Sequence, residues 1–337
     1  MGLRDGRMPM HIRRREFIIT LGGAAAWQFA ARAQQGGRIP RIGFLWHAGS
    51  REEESMNFEA VIEGFAKLGY VEGRNIILEH RFPNEEPERF RTMAAELVAL
   101  NVDVLMVTAT GAPYLRDATT KIPIVFVAVP DPVSMRLVQS LARPGGNMTG
   151  LSNFGEELAA KRLQLLKELV PGLSRVALLV NRDLLSKGFY IEGSRMAADK
   201  LGLAVQVFEL TSVEDLEPTF DAMVQAGMQA VTLAQGGFAF SRRATVAKLA
   251  LARRLALCAY SKTTFDAGAL MAYGPNSLDA FRRMAVYVDK ILKGAQPSEL
   301  PVEQPTSFEL FINLRVAKTL GLDVPVHLQQ IADEVIE

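Results

Sequence analysis

The chain has 337 residues, with 38 Lys and Arg against 37 Asp and Glu, so its net charge is close to zero. Binding along a nucleic-acid backbone needs a concentrated positive field, which this balance does not supply. Cys258 is the only cysteine, which excludes a disulfide framework and a thiolate metal cluster, and no run after residue 33 is apolar for long enough to span a bilayer.

The first element is a leader. "RRREFIITLGGAAA" (13–26) opens on arginines and continues apolar for roughly fifteen residues, short of the ~20 that a membrane helix requires. With Ala31-Arg32-Ala33 behind it, the order is that of a cleavable export signal over residues 1–33, sending a mature chain from Gln34 to the periplasm. Arg14-Arg15 before Glu16, Phe17 and Ile18 resembles a twin-arginine signal, but Arg13 stands where Ser or Thr is usual, so the general export route stays open. A retained amphipathic helix is the competing reading. Gly22-Gly23 and the alanines would give it a poor core stripe.

The rest alternates short apolar runs with helical patterns. Strands are expected at 41–46, 75–82, 103–109 and 122–129, with helices around 58–68 and 88–100. A second set follows at 175–180, 204–210, 230–235 and 256–260, separated by helices near 156–169, 187–200, 213–226 and 241–255. Strand spacings mostly in the twenties to low thirties suit parallel βαβ units. The expected class is α/β, two doubly wound Rossmann-like lobes. "RPGGNMTGLS" (143–152), "GALMAYGPNS" (268–277) and "LPVEQPTSFELFIN" (300–313) read as three crossover segments, with a long helix at about 277–293. Lobe 1 is expected to comprise 38–150 plus about 272–304, and lobe 2 to comprise 151–271 plus about 305–337. Three short connections would form a hinge, and the cleft would lie at the carboxyl ends of both strand sets.

The chain contains no G-x-S-x-G, H-E-x-x-H or Walker loop. The histidines make no short-spaced metal pair, so neither a cofactor nor a metal nor catalysis is expected. His47 either lines the cleft or is a solvated loop residue. Thr108, Thr110 and the amides around Gly111 follow the third strand and can receive an anion, or Thr110 simply caps a helix. Asp131, stiffened between prolines, can meet a ligand ammonium, cap the next helix, or do both. Asn181, Gln235 and Tyr260 end strands of the second set. Trp46, Phe154 and Tyr260 either wall an apolar ligand or belong to the core. An anion site, a carboxylate and aromatic walls together suit a zwitterionic amino acid or a related small carboxylate.

These residues carry a family likeness. The leader "RRREFI…AARAQQ", "GFAKLGYVEGRNI", "IPIVFVAVPDPV", "LARPGGNMTGLS", "KRLQLLKELVPG", "LMAYGPN", "KILKGAQPSELPVEQPTSFELFINL" and "AKTLGLDVP" occur in one order. The chain resembles the periplasmic substrate-binding proteins of ABC transporters, type 1 periplasmic binding fold, in the group related to tryptophan- and tyrosine-type amino-acid binders. The resemblance implies two lobes gripping a ligand, hinge closure, and delivery to an inner-membrane ABC permease. It implies binding positions near Trp46, Ser50, Thr110, Gly111, Asp131, Asn153, Phe154, Asn181, Gln235 and Tyr260. Ser261 and Lys262 depart from the family pattern; Lys262 is either a solvated loop lysine or a sign of extra negative charge on the ligand. Two rival functions share the frame, a periplasmic sensor feeding a signalling receptor and a two-domain α/β enzyme. One ligand per closed cleft requires only a monomer.

Overall fold

The computed structural model describes residues 38–153, 155–184 and 186–337; the leader over 1–33 and Phe154 lie outside the described residues. Residues 1–40 and 41–337 form separate units, and of the first only 38–40 are described, without regular secondary structure.

The first lobe alternates β1 (Arg41–Leu45), α1 (Ser55–Lys67), β2 (Ile77–Arg81), α2 (Pro87–Ala99), β3 (Val104–Thr108), α3 (Ala112–Ala118), β4 (Ile124–Val129) and β5 (Met148–Ser152). The strands pair in parallel in the order β2-β1-β3-β4-β5. Helices cover both faces of such a sheet, so the strands read as continuous apolar runs. Ile42, Phe44, Val104, Met106, Val125 and Val127 face one side with α1. Leu45, Leu105, Val107, Ile124 and Phe126 face the other, against Phe90, Ala94 and Leu97 of α2.

The second lobe runs α4 (Gly155–Leu169), β6 (Arg175–Asn181), α5 (Lys187–Leu201), β7 (Ala204–Leu210), α6 (Leu216–Gln225) and β8 (Ala230–Leu233). It continues through α7 (Gly237–Ser241), α8 (Arg243–Ala252), β9 (Ala256–Ala259), α9 (Lys262–Phe265) and β10 (Met271–Pro275). The helix expected over 241–255 is therefore two helices, broken at Arg242, whose φ of −105° and ψ of 13° leave the helical region.

Three crossover segments join the lobes. The first leaves β5 for α4. The second leaves β10, which sits in the second sheet, and enters α10 (Ser277–Leu292), whose Phe281, Met284 and Val288 pack with Phe58 and Phe65 of the first lobe. The third starts beside the first sheet, where Glu303 bridges Leu151, and enters β11 (Phe308–Asn313), antiparallel to β10. After β11 come α11 (Leu314–Leu320), α12 (Val326–Ile331) and β12 (Glu334–Ile336), which complete the order β12-β11-β10-β9-β8-β6-β7.

Candidate functional site

The carboxyl ends of both sheets face a shared cavity that opens to solvent. From the first lobe come His47, Thr108, Thr110 and Tyr114, with Phe281 of α10. From the second come Asp183, Tyr190, Gln235, Phe240 and Tyr260. A recess on the same cleft adds Glu85 and Asn181, and a further cavity lies among the three crossovers.

His47 is 9% exposed and lines the cavity, so the solvated-loop reading is corrected. Its Nε2 lies 3.0 Å from Glu54 Oε1 and its Nδ1 lies 3.2 Å from Glu85 Oε1. Burial alone would push its pKa down. The charge and hydrogen bond of Glu54 override that, with help from Glu85, and hold it at about 10. Glu54 is fully buried, and burial favours its neutral form. His47, Asn57 Nδ2 at 2.9 Å and the Ala48 amide nevertheless keep its pKa below the usual carboxylate value. The ring of His47 meets Phe240 of the second lobe edge-on, with centroids 5.1 Å apart.

Glu85 is presented by two consecutive non-glycine residues in the left-handed region, Asn84 (φ 59°) and Glu85 (φ 58°). Such conformations are disfavoured and persist where the surroundings impose them. Here the amides of Asn84 and Glu85 donate to the carbonyls of Ala48 and His47. A third left-handed residue, Ala128 (φ 60°), sits where the β4–β5 register shifts, and it lines both cavities.

The structure brings Thr110, Gln235 and Tyr260 together on the wall of the main cavity. Gln235 also lines the crossover cavity, where its Oε1 accepts from Asn153 Nδ2 at 2.6 Å. Tyr260 OH reaches the Gly236 carbonyl at 3.4 Å. Asn181 lies in the recess, but its Oδ1 accepts from the Asp183 amide and caps that turn.

Four other candidates do not line these cavities. Trp46 is completely buried, stacked on Phe44 with centroids 3.7 Å apart, and its Nε1 donates to His80 Nδ1 at 3.0 Å. It belongs to the core, one ring behind Phe281. Gly111 packs so tightly that a Cβ there would lie 2.7 Å from Val107 Cγ2. Ser50 Oγ accepts from the Glu53 amide within its own turn. Asp131 caps a turn rather than a helix: Oδ1 accepts from the amides of Val133 and Ser134, and Oδ2 from Ser134 Oγ at 2.6 Å. Three of the roughly four acceptor positions of its carboxylate are thus used within its own turn. Thr110 makes no helix cap either, because a 3₁₀ turn (Ala109–Gly111) leads into α3 without a side-chain bond. Lys262 pairs with Asp266 and Glu334, both at 2.9 Å, away from the cavity.

Sequence reasoning missed Glu54, Glu85, Asp183, Tyr190, Phe240 and Phe281. Glu85 alone left a trace, as part of the polar "PNEEP" after the second strand.

A model of the ABC transporter substrate binding protein family matches residues 50–336, and the chain belongs to that family. It is 23% identical over 274 residues to a tyrosine-binding protein of Clostridioides difficile (strain R20291), covering 80% of this chain and 79% of the relative. An ABC domain from Streptococcus pneumonia in complex with L-Trp superposes with a TM-score of 0.83 at 24% identity, covering 89% of this chain and all of that one. The ligand-free, open form of a substrate-binding protein with adhesive properties from Clostridium difficile gives 0.64 at 22% identity, covering 88% and 99%. Both share the two-lobed α/β fold.

Proposed function

We propose that this protein is the exported receptor of an ABC importer, and that it captures an aromatic or branched amino acid, or a related small carboxylate, between its lobes. The observation that carries the reading is the cavity itself: both lobes and α10 contribute walls, and its aromatic and hydroxyl lining suits a ligand with an apolar body and polar ends. The tyrosine-binding relative and the L-Trp complex support the ligand class.

Thr110, Gln235 and Tyr260 contact the ligand, joined by Thr108, His47, Tyr190 and Phe240. Asn153 and Asn181 act from the adjoining cavities. Trp46, Ser50, Gly111 and Asp131 hold the walls in place. Lobe 1 comprises 38 to about 152 with about 276–304, and lobe 2 the remainder, because β5 runs to Ser152 in the first sheet and β10 to Pro275 in the second. Closure follows ligand because the closed form alone makes contacts from both sides, and only such differential contact shifts the equilibrium. The inner-membrane permease then reads the closed shape.

A thermal-shift screen of the purified protein, unfolded and refolded to release carried-over ligand, tests this against amino acids and small organic acids. A dose-saturating rise in melting temperature for one chemical class is expected. No response across the whole panel would refute the ligand class. Loss of uptake of that ligand in a deletion strain tests the importer role, and a mature N-terminus at Gln34 tests the leader.

A further inference from the structure

Among the described residues lining the main cavity and its recess there is no Lys or Arg, and His47 is the only cation. Against it stand three carboxylates. Glu54 is buried beneath His47 and matches its charge. Glu85 from the first lobe and Asp183 from the second remain, both in the recess; burial raises the Tyr114 phenol pKa first, Arg91 over its ring lowers it, and Glu85 and Asp183 add smaller upward pushes. Glu85 Oε1 is buried, and its one partner is the His47 Nδ1 at 3.2 Å in an ion pair, with no further donor on it. On the same wall Thr108, only 2% exposed, has a hydroxyl with no partner. A protein seldom keeps buried polar atoms unpaired without a group to fill them.

Resting on the receptor function above, we propose that the ligand carries a protonated nitrogen, held between Glu85 of one lobe and Asp183 of the other, with Thr108 serving its opposite, polar end. A simple carboxylate lacking that nitrogen is disfavoured at the recess, whose lining holds Glu85 and Asp183 and no cation. The arrangement also couples charge to closure. Without ligand, two like charges on facing lobes repel and favour separation. A cation between them converts the repulsion into two attractions that exist only when the lobes meet.

The test is titration calorimetry with matched probes: L-tryptophan and L-tyrosine, their decarboxylated amines tryptamine and tyramine, and the amine-free acids indole-3-propionate and 3-(4-hydroxyphenyl)propionate. The amino acids and amines are expected to bind, and the acids at least about tenfold more weakly. Asp183→Asn, on an exposed turn, and Glu85→Gln are each expected to weaken amine-bearing probes by about tenfold or more, the scale of a lost charge-assisted contact, and to leave the acids unchanged or more tightly bound. Acids binding as tightly as amino acids, or variants that bind unchanged, would overturn the charge assignment and leave the receptor function standing. A panel without any binder would overturn both. Solution scattering of the ligand-free double variant gives a probe-independent arm: a smaller radius of gyration than wild type is expected, and an unchanged one overturns the repulsion.

Discussion

Gly237 is where the two lobes come closest to a steric limit. A Cβ built there would lie 1.5 Å from Glu85 Oε1 and 2.6 Å from His47 Nδ1, whereas real Cβ contacts stay beyond 3.0 Å. Gly237 is not among the positive-φ residues, so alanine meets no backbone penalty of its own. The methyl of Gly237→Ala must push Glu85 off His47 or hold the lobes apart. Displacing a buried charged contact, or overpacking a filled site, costs about 1–3 kcal/mol. If all of that falls on the closed form, the dissociation constant rises about 5- to 150-fold. Calorimetry with L-tryptophan or L-tyrosine measures the loss. The melting temperature of the ligand-free protein should stay at the wild-type value, because the open form relieves the clash. An affinity within about twofold of wild type, together with a lowered ligand-free melting temperature, would refute the link between this contact and binding.

Other perturbations follow from the same geometry. His47 carries a pKa raised from 6.5 to about 10, so its contribution to stability is complete below pH 6.5 and disappears as pH rises toward 10; His47→Gln should flatten that alkaline decline in thermal melts. His80 behaves oppositely. Burial first, then Arg51 and Arg81, lowers its pKa to about 4, so the unfolded chain takes up a proton before the folded one does. Stability should therefore drop as pH falls from about 6.5 to 4, and His80→Gln should lessen that slope even though it loses the Trp46 bond. Gly64→Ala would bring a Cβ to 2.3 Å from the Arg282 carbonyl, a backbone atom that cannot step aside. Separating α1 from α10 should cost about 1–3 kcal/mol and lower the melting temperature by several degrees; an unchanged melt would refute the close-packing argument.

The strands were legible because sheets buried on both faces demand unbroken apolar runs, and "RIGFL", "VLMVT" and "RVALLV" are such runs. The crossovers were legible from proline, glycine and strand-like residues mixed in one short stretch. The candidate site was legible where a residue falls within two positions of a strand's end, as Thr110, Gln235 and Tyr260 do. Glu85 and Asp183 lie in turns whose direction depends on left-handed backbone and local hydrogen bonds, which no periodicity encodes. Phe281 sits on a helix distant in sequence that the fold carries back to the first lobe. Trp46 and Asp131 mislead for one reason. Residue type and strand-end position are compatible with a ligand contact, yet Trp46 faces α1 and α10, and the Asp131 carboxylate is engaged by amides two and three residues ahead.

Gln235 is shared by the main cavity and the cavity among the crossovers. Its Oε1 accepts from Asn153 Nδ2, and its own amide N–H groups are donors on a residue that also lines the main cavity. Asn153 in turn donates its backbone amide to the Val129 carbonyl, beside the strained Ala128 and the register shift at the end of β4. Two hydrogen bonds therefore connect a residue of the cavity wall to the first crossover, beside one left-handed residue. In the closure proposed above, a ligand acceptor on the Gln235 amide fixes which way that amide faces, and with it whether Oε1 still meets Asn153. Such a side chain acts at the hinge through the choice of partner and not through bulk, so Gln235→Glu, which keeps the shape but removes the donors, is the substitution that separates the two.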